Sequence, residues 1–115
     1  MFPTNLQPAV SMLRTGTTTD AYVEADRWVC LPYLTKRAVI TNTGLTNALK
    51  YKILYTTSLG GTELTDVSEA TVNASSNANT GTTLDHAACE VVFYVKSSVA
   101  GSHTTYSIEY VGIMP

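Results

Sequence analysis

Apolar and polar residues alternate with period two in three separate segments of this chain. Val91, Phe93 and Val95 share one face of a segment that opens at Glu90, and Tyr106, Ile108 and Tyr110 share one face of a segment that runs to Gly112. Between them lies Ser97-Ser-Val-Ala-Gly-Ser-His103, a polar loop with Gly101 near its tip. Alternation on both sides of a Gly/Ser loop predicts an antiparallel strand pair. Leu49, Tyr51, Ile53 and Tyr55 repeat the pattern, with Lys50, Lys52 and Thr56 on the other face. Residues 37–41 predict a further strand, closed by Asn42-Thr43-Gly44, where Gly44 suits a turn. The expected core therefore holds Val39 or Ile40, Leu49, Tyr51, Ile53, Val91, Phe93, Val95, Tyr106 and Ile108.

The remaining segments are less regular. Tyr22 and Val23, then Trp28, Val29 and Leu31, predict a first strand pair or one strand and a turn. Residues 63–67 and 69–72 predict two short strands after the break at Gly60-Gly61. Residues 73–83 are too polar for a core and predict a long loop at a sheet edge. Helical period is missing throughout, so at most a helical turn is expected, near residues 83–88. Pro3 and Pro8 oppose a regular ladder. Residues 1–19 are therefore expected to form an extended N-terminal arm with room for a short edge strand, and residues 20–115 the folded domain. The architecture predicted is all-β: a single antiparallel β-sandwich or jelly-roll-like domain of about seven or eight strands.

Composition adds a statement about the surface. Of 115 residues only 14% are charged, against about a quarter in an ordinary domain. Threonine, serine and asparagine take the missing polar positions. Such a surface loses less on desolvation, so a neighbour covers it more cheaply. The net charge is −2, and the basic clusters are only Lys36-Arg37 and Lys50-Tyr51-Lys52. No nucleic-acid partner is expected from so little positive charge. No apolar run reaches membrane-span length, and the start of the chain has neither a basic nor an apolar signal region, so synthesis in the cytosol without membrane contact is expected. Cys30 and Cys89 are expected to be free thiols. Trp28 precedes Cys30, and Ala87 stands where an immunoglobulin domain would have its corner tyrosine.

Candidate chemistry is sparse. Asp85, His86 and Cys89, with Cys30, are zinc-type donors, but a polar strand entry before Glu90 is the expected reading. His103 sits beside Ser97, Ser98 and Ser102 without a nucleophile motif. Glu24, Asp26, Glu63, Asp66 and Glu69 stand near strand ends on a scaffold too small for a glycosidase cleft. No catalytic residue, metal or cofactor is expected. Two residue sets remain. Phe2, Leu6, Val10, Met12 and Leu13 give the arm more apolar side chains than a solvated tail should expose, and so form a candidate subunit interface. Tyr22, Trp28 and Tyr33 lie outside the core alternation and form a candidate glycan platform.

The segments Arg37-Ala-Val-Ile-Thr-Asn-Thr-Gly44, Leu49-Lys-Tyr-Lys-Ile53 and Phe93-Tyr-Val-Lys-Ser-Ser-Val-Ala-Gly-Ser102 resemble the small β-sandwich virion proteins of tailed bacteriophages. The similarity extends over residues 37–112. It implies a non-enzymatic structural protein of the virion, made in the host cytoplasm. Such a protein would be a capsid decoration protein that stabilises the shell, or a neck or tail accessory protein. The implied partners are other virion proteins, such as the major capsid protein or neck and tail proteins, and copies of the chain itself. The alternative is a carbohydrate- or receptor-binding module of a phage tail or cell surface.

Overall fold

The structure, a computed structural model, describes residues 9–114, with side chains from Ser11 onward. Eight strands follow one another: β1 (Ala9–Thr17), β2 (Val23–Val29), β3 (Thr35–Asn42), β4 (Leu49–Thr56), β5 (Leu64–Val72), β6 (Asn77–Asn79), β7 (Glu90–Ser97) and β8 (Thr105–Ile113). They form two four-stranded antiparallel sheets, sheet A in the order β1-β8-β3-β6 and sheet B in the order β2-β7-β4-β5. First pairs with last, second with seventh, third with sixth and fourth with fifth. The chain is one long hairpin rolled over itself, which is a jelly roll. No described residue is helical, and no helix is long and apolar enough to cross a membrane.

The alternation of the sequence becomes the division between core and surface. In β8 buried and less buried residues alternate along the whole strand, with Tyr106, Ile108 and Tyr110 inside. Leu49, Tyr51 and Ile53 of β4 and Val91, Phe93 and Val95 of β7 meet them from sheet B, joined by Ile40 and Ala38 of β3. An aromatic stack runs through this core. Trp28 of β2 lies 4.5 Å from Tyr110 and 6.3 Å from Tyr33, and Phe93 lies 5.5 Å from Tyr110. Gly112 makes room for the Trp28 indole, since a Cβ there would approach the ring to 2.7 Å.

The second half of the expected arm belongs to the sheet. Residues 9–17 are β1, paired with β8 over all nine positions from Ala9↔Ile113 to Thr17↔Thr105. Pro3 and Pro8 precede it, so every residue of β1 can donate to a ladder. The polar segment at 73–83 likewise contains a strand, β6, which pairs Asn77–Asn79 with the edge of β3. The two short strands expected at 63–67 and 69–72 are one, β5, whose two irregularities against β4 explain why its hydrophobic period fails. Where a helical turn was expected at residues 83–88, a turn over residues 81–84 leads into irregular chain.

Buried polar groups tie the two ends. Asn42 uses its full capacity: its amide donates to the carbonyls of Asn47 and Val72, and its Oδ1 accepts from the Gly44 amide and the Thr104 hydroxyl. At the other end the fully buried Lys36 ammonium donates to the carbonyls of Tyr33, Leu34 and His86 at 2.8–3.1 Å. That contact ties the β2–β3 turn to the β6–β7 connection. Burial pulls the Lys36 pKa below the ordinary lysine value.

Candidate functional site

The two outer faces of the sandwich differ chemically, and the difference starts from a bulge. Between Glu24 and Asp26 the register of β2 against β7 shifts by one residue. Glu24 and Arg27 therefore share the outer face of sheet B, while Asp26 and Trp28 face inward. Arg27 is surrounded by three carboxylates: Glu24 at 2.9 Å, Glu63 at 2.7 Å and Glu90 at 2.9 Å. Hydrogen bonds to Glu24 and Glu63 raise its pKa and fix its charge.

Glu90 is nearly inaccessible and also accepts from the Thr56 hydroxyl at 2.8 Å and the Gly60 amide at 3.1 Å. These bonds, Thr56 first, hold its pKa below the ordinary carboxylate value. The Tyr94 hydroxyl donates to Glu63 at 2.7 Å. Burial and that contact push the Tyr94 phenol up to about 12. Farther along, Tyr22 donates to Glu69 at 2.6 Å beneath Lys52 and Lys96, whose ammonium groups lie 4.6 and 5.1 Å from its ring. This face is charged: Arg27 and its carboxylates are committed to one another, and Lys52 and Lys96 lie over tyrosine rings.

The outer face of sheet A is the opposite. The register sets Ser11, Leu13, Thr15 and Thr17 of β1 beside Val111, Glu109, Ser107 and Thr105 of β8. Arg37, Val39 and Thr41 of β3 continue the same rows. Among the described side chains, Arg37 and Glu109 are the only charges at outward positions of these strands. Leu13, Val111 and Ile113 are 56%, 37% and 41% exposed. The result is a Thr/Ser-rich surface with aliphatic residues in it. Arg14 takes an inward-facing position of β1 but stays 45% exposed at the sandwich edge, where it meets Asp26 at 3.5 Å, a charge that discourages β1 from recruiting a further strand.

The residues singled out from sequence fall as follows. Leu13 lies on the outer face of sheet A, and Met12 is half-buried against the core. Val10 is in β1 opposite Gly112, but its side chain lies outside the described residues, as do Phe2 and Leu6 altogether. Tyr22, Trp28 and Tyr33 do not form a platform. Trp28 is only 5% exposed, Tyr33 packs on it from the β2–β3 turn, and Tyr22 is pinned on the outer face of sheet B.

The zinc-type donors each have other partners. Asp85 accepts from the Lys36 amide and from Arg37, and His86 Nε2 meets Asp66 at 3.0 Å. No group of three metal-ligating side chains occurs among the described residues. His103 contacts Asp20 at 2.9 Å, whereas the Ser97 hydroxyl is buried on Thr18. Of the acids, Glu24 and Glu63 converge on Arg27, Asp26 takes the Tyr110 hydroxyl, and Glu69 takes Tyr22 and Lys50. Both Cys30 and Cys89 are free and buried, Cys30 just after β2 and Cys89 just before β7.

No protein-family model matches the chain, and no curated protein matches it either. Solved structures do. PirA superposes with a TM-score of 0.61 at 17% identity, covering 85% of this chain and 92% of its own. The SPBc2 prophage-derived protein YomS gives 0.57 at 11% identity, covering 94% and 95%. A protein of the disulfide-linked pili formed by Bacillus endospore appendages gives 0.54 at 9% identity, covering 94% and 88%. At these identities the likeness is one of fold: the chain shares a small all-β sandwich with proteins of nearly its own length.

Proposed function

We propose that this chain is a non-enzymatic structural protein of a phage particle, a capsid decoration protein that stabilises the shell by packing on its subunits. The observation that carries the proposal is the charge-poor outer face of sheet A, set against the charge-rich outer face of sheet B. Covering Leu13, Val111 and Ile113 removes apolar surface from water and desolvates hydroxyls that a partner can satisfy, while few charges lose hydration. Each side chain would contribute at most about 1.5–3 kcal/mol, so firm attachment comes from many copies acting together. Phe2 and Leu6 lie in the eight residues before β1, the outer strand of this face, and belong to the proposed contact. The fold shared with a prophage-derived protein and a pilus protein supports the reading, as does the resemblance to tailed-phage virion proteins. Fold alone does not assign function, so the weight rests on the face.

The test is a pair of double variants assayed for folding and for incorporation into particles. Leu13→Glu with Val111→Glu places two charges on the face of sheet A at exposed positions. Thr65→Glu with Thr71→Glu does so on the outer face of sheet B. Both are expected to fold. The first is expected to be lost from purified particles and the second to be retained near the wild-type level. Normal incorporation of the sheet A variant overturns the proposal.

A further inference from the structure

The only two cysteines of the chain meet just beyond the paired ends of β2 and β7. The register matches Trp28 with Val91 and Val29 with Glu90, where the ladder ends; one residue farther, Cys30 and Cys89 share a single backbone hydrogen bond, since the Cys89 amide donates to Thr56 and the Cys30 carbonyl accepts from Tyr33. The contact is real: the Cys30 amide donates to the Cys89 carbonyl at 2.9 Å, and the Cys30 thiol donates to the Ala88 carbonyl at 3.4 Å. One backbone N–H···O bond of that length keeps the two Cα atoms within about 7 Å of each other, which overlaps the range of about 4.4–6.8 Å that a disulfide requires. Cys30 is wholly inaccessible and Cys89 is 6% exposed. Cys89 also lines a cavity of about 160 Å³ that opens to the surface between Leu31, Thr57, Ala87 and Ala88. The Lys36 ammonium holds the flanking segments together through Tyr33, Leu34 and His86.

We propose that Cys30 and Cys89 form an oxidative modification site, in which a small hydroperoxide entering this cavity converts the pair to a cross-strand disulfide between β2 and β7. Cys89 is the entry thiol because Cys89 lines the cavity and Cys30 does not. Its thiolate attacks one peroxide oxygen, forming an S–O bond as the O–O bond breaks; with hydrogen peroxide the departing hydroxide takes up the thiol proton and leaves as water. The Cys30 sulfur then attacks the resulting sulfenic sulfur. The S–S bond forms, the S–O bond breaks, and hydroxide leaves with the Cys30 proton as a second water. Two thiols and one peroxide give one disulfide and two waters. Burial holds the Cys30 thiol pKa above its ordinary value, which suits a resolving sulfur that reacts only once its neighbour is oxidised. The bridge would lock β2, an edge strand of sheet B, to the strand beside it.

The full-length chain treated with hydrogen peroxide tests this. Expected results are the loss of two hydrogens by intact mass and a peptide linking Cys30 to Cys89 in a non-reducing digest. The urea midpoint should rise and return to its starting value with dithiothreitol. In Cys30→Ala, checked for folding by circular dichroism, oxidation should stop at a sulfenic acid on Cys89 that dimedone traps. The wild-type digest remains decisive if that variant does not fold. Disulfide-linked dimers, oxidation of Cys89 to sulfinic acid without a bridge, or thiols that react only after denaturation would each overturn the proposal.

Discussion

Replacing Trp28 with alanine is expected to destabilise the protein by about 3–5 kcal/mol, the range for deleting a buried large aromatic side chain. The indole lies between the sheets, 5% exposed, against Tyr110 and Tyr33. Its removal leaves a cavity that the stack cannot close, because Tyr110 is anchored by its hydroxyl to Asp26 at 2.6 Å. Gly112 adds no side chain to fill the space. Tyr22→Ala is the comparison: a half-buried tyrosine on the outer face of sheet B, whose loss gives up one hydrogen bond to Glu69 and cation contacts, with a smaller expected effect. Urea unfolding measures both. A loss below about 1 kcal/mol for Trp28→Ala would place the indole at the surface and restore the glycan platform.

Glu90→Ala is expected to cost about 2–4 kcal/mol at neutral pH, because the Thr56 hydroxyl and the Gly60 amide lose their acceptor and Arg27 loses its most buried partner. The pH dependence carries a sign. The folded-state pKa of Glu90 lies below its ordinary value of 4.5, as does that of Glu63. Both carboxylates therefore contribute stability that is fully present above about pH 4.5 and lost as the pH falls through the lower folded-state values. The wild-type protein should weaken progressively on acidification below that point. Glu90→Gln should be less stable at pH 7 and show a shallower acid limb, retaining the part due to Glu63. Urea midpoints between pH 3 and 7 test this, and parallel curves for wild type and Glu90→Gln would show that Glu90 is not part of the linkage.

Much of the fold was legible wherever one face of a strand is buried and the other is not. Strands β4, β7 and β8 follow period two because their inward residues meet the opposite sheet, and the expected core residues Leu49, Tyr51, Ile53, Val91, Phe93, Val95, Tyr106 and Ile108 are all buried, with Ile40 rather than Val39 inside from β3. Strand β6 was not legible, since Asn77–Asn79 are held by backbone pairing with β3 and carry no hydrophobic signal. Strand β1 was obscured by prolines that turn out to precede it.

The chemistry of the faces was less visible. Arg27 and Glu24, three residues apart, would fall on opposite faces of a regular strand, and only the bulge brings them together. Glu90 sits at an outward position, yet the β4–β5 connection covers it. Trp28 was misplaced because the space it occupies is created by a glycine more than eighty residues away in sequence. The small number of charges was apparent at once, but not their sorting onto one side. That required the register of sheet A, which sets Leu13 beside Glu109 and Ser11 beside Val111.

On the proposed reading of the chain as a virion protein, electron cryomicroscopy of the assembled particles decides most directly whether the face of sheet A is an attachment surface. The expected density places the sandwich on the shell with β1 and β8 against its subunits, Leu13 and Val111 covered, and the Arg27 carboxylate cluster turned to solvent. A sandwich seated through sheet B, or particles that lack the chain, would contradict it.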